Sequence, residues 1–545
     1  MRITSPAGTI HVDAPAEDAS APGGQETAGG HLSSKHVINS GHLSSKHVIN
    51  SGHLSSGHLI KGTHVKVTHN WGVSEYYRHG WNSWTPTRWW SLERDPWRIW
   101  DNPLRSLTAE DVVNDSTTKH RSSMVTAVVS EQGEVLLVGA LSGSTPVLTL
   151  TPNTIEATCI DTGSAHANGG AWFVTTGAEQ EVFARYAKAL AQYRQLPERK
   201  QAVDVLGAVW SSWYSWFEEV SEQIITSEIP AAKKLGYGVV QIDDGWERKV
   251  GDWRANQKFP RGMKPVVDDI HQAGLKAGLW VSPFIALPGT PTVEAYPELF
   301  LHNEDGSLTP SGFNWGQEYY ALDFSKPQAH DWLAETMSEI ARWGFDMFKL
   351  DFLYAAAVQA QRQHGMDREV AYRAGLETMR EAVGSDVYLL GSGAVVNASL
   401  GVLDGMRVGP DTAPYWDNTE RKRDPSGPAV VNALRNSLSR AWLKPLADCD
   451  PDVAYFRTRG SLLSPEVNAL TAQAGLVCGF AQCSDPRAWL SDQEAAVVQR
   501  WIAHFERHPR VEQVGRYTYR VDGQEVNFDE YLNPTSRISD RLLVK

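Results

Sequence analysis

The chain has 545 residues and a formal net charge of −13, with 64 acidic side chains against 51 lysines and arginines. That length exceeds one ordinary domain and accommodates a barrel of roughly 250 residues with appended modules. The acidic balance argues against nucleic acid or an anionic membrane as a partner, since both need a clustered basic surface, and favours an uncharged ligand.

Tryptophan is unusually frequent at 21 residues, with clusters at Trp81, Trp84, Trp89 and Trp90 and again at Trp210, Trp213 and Trp216. Indole rings stack well on the C–H faces of sugars but more often fill cores. Core packing is the reading for most of them, with Trp84 and Trp280 set apart. The four cysteines are irregularly spaced and contain no C-x-x-C pair, which points to a reducing compartment. The opening MRITSPAGTIHVDAPAED has no apolar leader, and no apolar run approaches the roughly 18 residues of a membrane span, so a soluble, cytoplasmic protein is expected.

In chain order, residues 1–30 are rich in Ala, Gly, Ser, Pro and acid, and are expected to be poorly ordered. An eleven-residue repeat follows: HLSSKHVINSG from His31, the same from His42, and a decayed copy from His53. Each unit reads as a short strand and turn. Its histidines also invite a metal reading, though ligand clusters normally use tighter spacing with Cys or carboxylates. THVKVTH, MVTAVVS, EVLLVGAL, PVLTLT and AWFVTT then read as strands of an antiparallel β-sandwich, which places an N-terminal β-domain over 31–200. EQEVFARYAKALAQYRQL closes it as a helix.

From Val205 the pattern changes to short apolar strands alternating with helices. The strands are VLGAVW, YGVVQIDD, KAGLWVSPF, DMFKLDF, VYLLGSG, GMRVGPD, KPLADCD and GLVCGFAQCSD, and eight such units predict a (β/α)8 barrel over 201–508. Pro327 near the start of AHDWLAETMSEIARWG and Gly344 at its end are helix boundary signals. Residues 509–545 alternate again and suffice only for a small C-terminal β segment.

Polar groups recur at the C-terminal ends of these strands, where a barrel gathers its catalytic side chains: Asp243 and Asp244, Trp280, Lys349 and Asp351, Ser392, Arg407 and Asp411, Asp448 and Asp450. A structural Lys349–Asp351 ion pair is the plain alternative for one of these ends. Asp351 ends the fourth strand and Asp411 the sixth, so both carboxyls are expected across one mouth, as glycoside hydrolysis requires of its nucleophile and its acid/base. Lys349 is expected to keep Asp351 ionised. Asp411 must begin protonated, which an Arg407 pair would oppose, so Arg407 is expected to bind a sugar hydroxyl instead. Asp243 and Asp244 suit two adjacent hydroxyls, with a divalent-cation site as the competing reading.

The stretches WSSWYSWF, QIDDGWERKVGDW, GLWVSPF, YALDFSK, FKLDFLYA, DGMRVGPDTAPYW and LRNSLSRAWL, with GWNSW at Gly80, resemble the compact bacterial α-galactosidases of glycoside hydrolase family 36, the melibiase-like group. The resemblance implies Asp351 as nucleophile and Asp411 as acid/base of a retaining double displacement. It further implies Asp243 and Asp244 on the C4 and C6 hydroxyls of galactose, Lys349 and Arg407 on other ring hydroxyls, Trp280 and Trp213 lining the pocket and Trp84 closing its rim. No cofactor or catalytic metal is implied, and the partner is an oligosaccharide. The family commonly has cysteine where Ser392 stands, beside C2 of the sugar, which opens α-N-acetylgalactosaminidase activity as an alternative. A raffinose-synthase-type transglycosylase, a metal-dependent barrel hydrolase and an inactive sugar-binding barrel are further alternatives. The histidine repeat replaces the family's N-terminal strands, and the short C-terminal module invites homo-oligomerisation.

Overall fold

The computed structural model describes residues 1–14, 56–98, 108, 110–111, 114, 116–164, 169–198, 201–418 and 426–532. Its centre is an eight-stranded parallel sheet. The strands are β1 (Val209–Ser211), β2 (Val239–Ile242), β3 (Lys276–Val281), β4 (Met347–Leu350), β5 (Tyr388–Gly391), β6 (Gly405–Arg407), β7 (Asp448–Asp450) and β8 (Gln482–Cys483). Each pairs with its sequence neighbour, and β8 returns to β1. The remaining seam, between β7 and β8, is joined by a parallel bridge from Ala454 to Cys483, with Ala454 N donating to Gln482 O at 2.8 Å. A sheet closed in this way has helices on its outside and delivers every strand end to one rim.

Four of the eight strands end at or directly before a charged residue: Asp243 after β2, Asp351 after β4, Arg407 in β6 and Asp450 in β7. Val239–Ile242 is fully buried, and so is Met347–Leu350 although it contains Lys349. Two expected strands shrink. In VLGAVW the first residue, Val205, ends the helical turn Ala202–Val205, and β1 starts only at Val209. In GLVCGFAQCSD the first four residues finish the helix Pro465–Cys478, which stops at left-handed Gly479 (φ 79°). An apolar run of that length does not distinguish a buried helix end from a strand.

Ahead of the barrel lie two six-stranded antiparallel sheets. One orders Arg2–Ser5, Gly8–Asp13, His64–His69, Thr154–Ile160, Ser144–Thr151 and His120–Ser123, and the other His58–Lys61, Ala171–Gly177, Val135–Ser142, Val125–Val129, Glu75–Arg78 and Arg88–Ser91. Their shared core holds Ile10, Val65, Val67, Leu148, Ile155 and Trp172. Val135–Ser142 is buried on both faces, because the helix Glu179–Arg194 covers the side turned from the other sheet. Gly139 is required there, since a Cβ would stand 2.4 Å from the Tyr186 ring.

The expectation of a poorly ordered leading segment is corrected for residues 2–13, which form a hairpin added to the edge of the first sheet. Ile10 and Val12 point into the sandwich while His11 and Asp13 face water, a period-two pattern too short to stand out in the sequence. Of the histidine repeat only the last part is described, where His58–Lys61 is a strand; the metal reading of the rest lies outside the described residues. At the C-terminal end Val511–Gly515, Thr518–Val521 and Gln524–Asn527 form a three-stranded antiparallel sheet.

The loop 79–87 ties the sandwich to the barrel. Arg440, fully buried, donates to the carbonyls of Ser83 (2.7 Å) and Asn82 (2.8 Å), Ser83 N donates to Ala394 O (2.8 Å), and Trp81 Nε1 donates to Glu369 (3.1 Å).

Candidate active site

At the strand-end rim a cavity of about 270 Å³ is lined by Trp84, Trp213, Asp243, Asp244, Trp280, Lys349, Asp351 and Asp411, together with Trp315, Phe313 and Phe352. That volume lies just below the roughly 300–1,000 Å³ of ligand pockets and is enough for one sugar ring. Eight of the ten sequence-predicted residues therefore share one wall. Ser392 and Arg407 do not line it; both are buried behind it.

Asp351 projects from the end of β4. Trp280 Nε1 donates to its Oδ2 at 2.8 Å and Phe352 N to its Oδ1 at 3.1 Å. Trp280 and Lys349 are register partners on β3 and β4, so the donor and the ammonium rise on the same side of the sheet. Burial raises the Asp351 pKa above the usual carboxylate value. It outweighs the opposing Lys349 charge, the Trp280 hydrogen bond and the Arg407 charge, and the Asp411 charge adds to it.

The alternative of a structural Lys349–Asp351 ion pair is corrected, while the Lys349 charge does act on Asp351 in the expected direction, toward the ionised form. The direct partner of Lys349 is Asp243, at 2.9 Å, and not Asp351. Burial disfavours the ammonium, but the Asp243 and Asp351 carboxylates prevail and hold its pKa above the usual lysine value. Asp243 also accepts from Gln241 Nε2 at 2.6 Å. Its competing reading as a divalent-cation ligand thus meets an ammonium already seated on it. Asp244 differs from its neighbour: Trp315 Nε1 donates to it at 2.9 Å, and burial with the nearby Glu247 charge pushes its pKa up to about 9. Burial raises the Glu247 pKa as well, so the pair favours holding a proton over carrying two charges.

Arg407 corrects a second expectation. It does not stand free for a hydroxyl but pairs with Asp411 through one nitrogen and with Asp452 at 2.7 Å through another. The Asp411 side chain is 43% exposed, whereas Arg407 and Asp452 are buried. Ser392 accepts the indole N–H of Trp84 at 2.9 Å, so it acts on the cavity through that ring. Gly393 (φ 61°) makes room for it, because a Cβ there would come within 3.1 Å of the Trp84 ring.

Sequence reasoning missed Trp315, Glu247, Tyr214 and Asp452. Trp315 sits at the turn of the hairpin Pro310–Asn314/Gln317–Ala321, inserted after β3, with a left-handed backbone (φ 49°). The Asn-Trp-Gly turn between alternating residues was the available signal.

A closed parallel barrel with two carboxyls from β4 and β6 at a sugar-sized cavity walled by indoles defines the glycosidase class of barrels. Residues 176–380 match the melibiase family model. The chain is 34% identical to TtGalA, an α-galactosidase from Thermus thermophilus solved with p-nitrophenyl α-D-galactopyranoside, over 97% of this chain and 98% of that one, with a TM-score of 0.81. The same enzyme solved with stachyose matches with a TM-score of 0.77 at 34% identity, over 92% and 98% of the two chains. The chain belongs to the melibiase family of α-galactosidases, of the glycoside hydrolase family 36 type. Alpha-galactosidase AgaA of Geobacillus stearothermophilus is 26% identical over 179 residues, 30% of this chain and 23% of that protein. An A type blood alpha-D-galactosamine galactosaminidase of Flavonifractor plautii is 29% identical over 190 residues, 30% of this chain and 17% of that protein. The chain thus aligns with less than a quarter of these two curated relatives.

Proposed function

We propose that the chain hydrolyses terminal α-galactosides of short oligosaccharides by retaining double displacement. The observation that carries this is the placement of Asp351 and Asp411 on one cavity of monosaccharide scale, in a chain 34% identical to TtGalA along nearly its whole length. In the first step an Asp351 oxygen bonds to C1 as the C1–O bond breaks and the Asp411 proton passes to the departing oxygen. In the second, the Asp411 carboxylate takes a proton from water, whose oxygen bonds to C1 and releases Asp351. Asp243, Asp244 and Lys349 present acceptors and donors to ring hydroxyls, while Trp84, Trp213 and Trp280 wall the ring.

A panel of p-nitrophenyl glycosides with NMR of the first-formed anomer tests this. Release of α-galactose first supports it; β-galactose first, or no turnover of α-galactosides, rejects it. The Flavonifractor relative and Ser392 behind Trp84 favour N-acetylgalactosamine as the second substrate to include.

Among the described residues Cys159, Cys449, Cys478 and Cys483 form no disulfide, which suits a reducing, cytoplasmic setting. No described helix is long and apolar enough to cross a membrane. The outer strands of the C-terminal sheet pair on one side only among the described residues, leaving edges for a second copy to cover; light scattering would reveal a homo-oligomer.

A further inference from the structure

A general acid beside an arginine is a contradiction in charge, because a cation favours the ionised carboxylate. Arg407 is nevertheless in contact with Asp411. The arrangement behind the arginine resolves this. Its Nε donates to Gly409 O at 2.9 Å, one terminal nitrogen reaches Asp411, and the other reaches Asp452 at 2.7 Å.

Asp452 is committed to this cluster on all sides. One oxygen takes Arg407, the Tyr214 hydroxyl and the backbone N–H of Thr412 (2.8 Å), the residue after Asp411. The other accepts from Val453 N at 2.9 Å, and its own N–H donates to Asp450 at 2.8 Å. It is buried at 4% exposure and has a left-handed backbone (φ 76°), which aspartate adopts at a cost that surrounding contacts must offset. Asp452 does not line the cavity.

Resting on the retaining reading, we propose that Asp452 is a positioning residue for the acid/base carboxyl: it holds one arm of Arg407, so that a single guanidinium is divided between two carboxylates. The Arg407–Asp452 pair is then close to neutral as seen from Asp411, which can keep a proton while its second oxygen stays anchored. Asp351 from β4 and the phenols of Tyr214 and Tyr455 also face Asp411. Asp450 and Lys349 face Arg407. Asp450 adds carboxylate charge near Arg407, but Asp452 is the carboxylate seated on its second arm.

The test is the pH dependence of kcat/KM for Asp452→Asn and Tyr214→Phe, with a p-nitrophenyl α-galactoside and with melibiose, whose sugar leaving group needs protonation. Asparagine preserves shape but frees the arginine charge onto Asp411, so the alkaline limb should move down by about one pH unit or more. On melibiose this reads as a roughly tenfold loss on the alkaline side, with the p-nitrophenyl substrate changed far less. Tyr214→Phe removes one bond to the same carboxylate and should raise proton affinity there, weakening its hold on Arg407 and moving the limb the same way by less. It serves where the asparagine chain fails to fold. Equal loss on both substrates with the limb unmoved, or an upward shift, overturns the proposal while leaving the retaining reading intact. An Asp411→Asn chain that keeps the alkaline limb overturns the acid assignment and the proposal together.

Discussion

Replacing Trp280 by phenylalanine removes one hydrogen bond from the proposed nucleophile and little else. The indole N–H to Asp351 Oδ2 is 2.8 Å long, and among the described residues the remaining donor to that carboxyl is the Phe352 N–H at 3.1 Å, since Lys349 is engaged by Asp243. A phenyl ring keeps most of the edge contacts to Trp253 (6.1 Å) and Trp315 (6.3 Å), and Trp246 donates to the backbone carbonyl of residue 280, which is untouched. A hydrogen bond to a charged group contributes about 1.5–3 kcal/mol, which is about one to two pKa units. The bond favours the ionised form, so its loss adds to the upward push of burial on Asp351. The nucleophile must be ionised; the acid limb of kcat/KM should therefore move up by about one to two pH units. Below both limbs the loss is roughly tenfold to a hundredfold, and above the new limb activity returns. Initial rates on a p-nitrophenyl α-galactoside from pH 4 to 9 decide it. A pH-independent loss, or a limb that stays in place, would refute the assignment of that N–H to the carboxylate.

Asp351→Ala should abolish turnover of aryl α-galactosides and recover part of it with azide, seen as β-galactosyl azide by NMR; undiminished turnover removes Asp351 from the nucleophile's role. Ser392→Cys puts a weak sulfur acceptor under the Trp84 N–H and should shift the galactose to N-acetylgalactosamine rate ratio severalfold, whereas an unchanged ratio places C2 selectivity elsewhere. His69 is buried with both ring nitrogens unpartnered, and burial lowers its pKa from 6.5 to about 4. It folds neutral, so its penalty is absent above pH 6.5, grows as pH falls, and levels off near 4. At pH 5 that is about 2 kcal/mol. His69→Phe should narrow the gap between unfolding midpoints at pH 7 and pH 5, and an unaltered gap would contradict the buried neutral imidazole.

The strand-end acids were legible because a carboxylate directly after an apolar run has few structural uses: Asp243 follows Ile242, Asp351 follows Leu350 and Asp411 closes the segment begun by β6. The wiring between them was not. Lys349 lies two residues from Asp351 in sequence but bonds to Asp243, just past the end of β2 and two strands away, and nothing local encodes that choice. Asp452 stands two residues beyond β7 in irregular backbone, where no periodicity assigns a direction to its side chain. Trp315 arrives on a hairpin inserted between β3 and the next barrel helix, so its approach to Asp244 depends on how that insertion folds back.

The loop 79–87 supplies Trp84 to the cavity and is gripped by Arg440 from the barrel side. On the proposed mechanism, catalytic competence is shared between two modules and neither would inherit it alone. A barrel excised from this chain would carry both acids yet lack a wall, and would leave a buried guanidinium facing water where it had held carbonyls. Swapping front modules between relatives should succeed only when the segment around Gly80–Trp84 travels with its matching arginine.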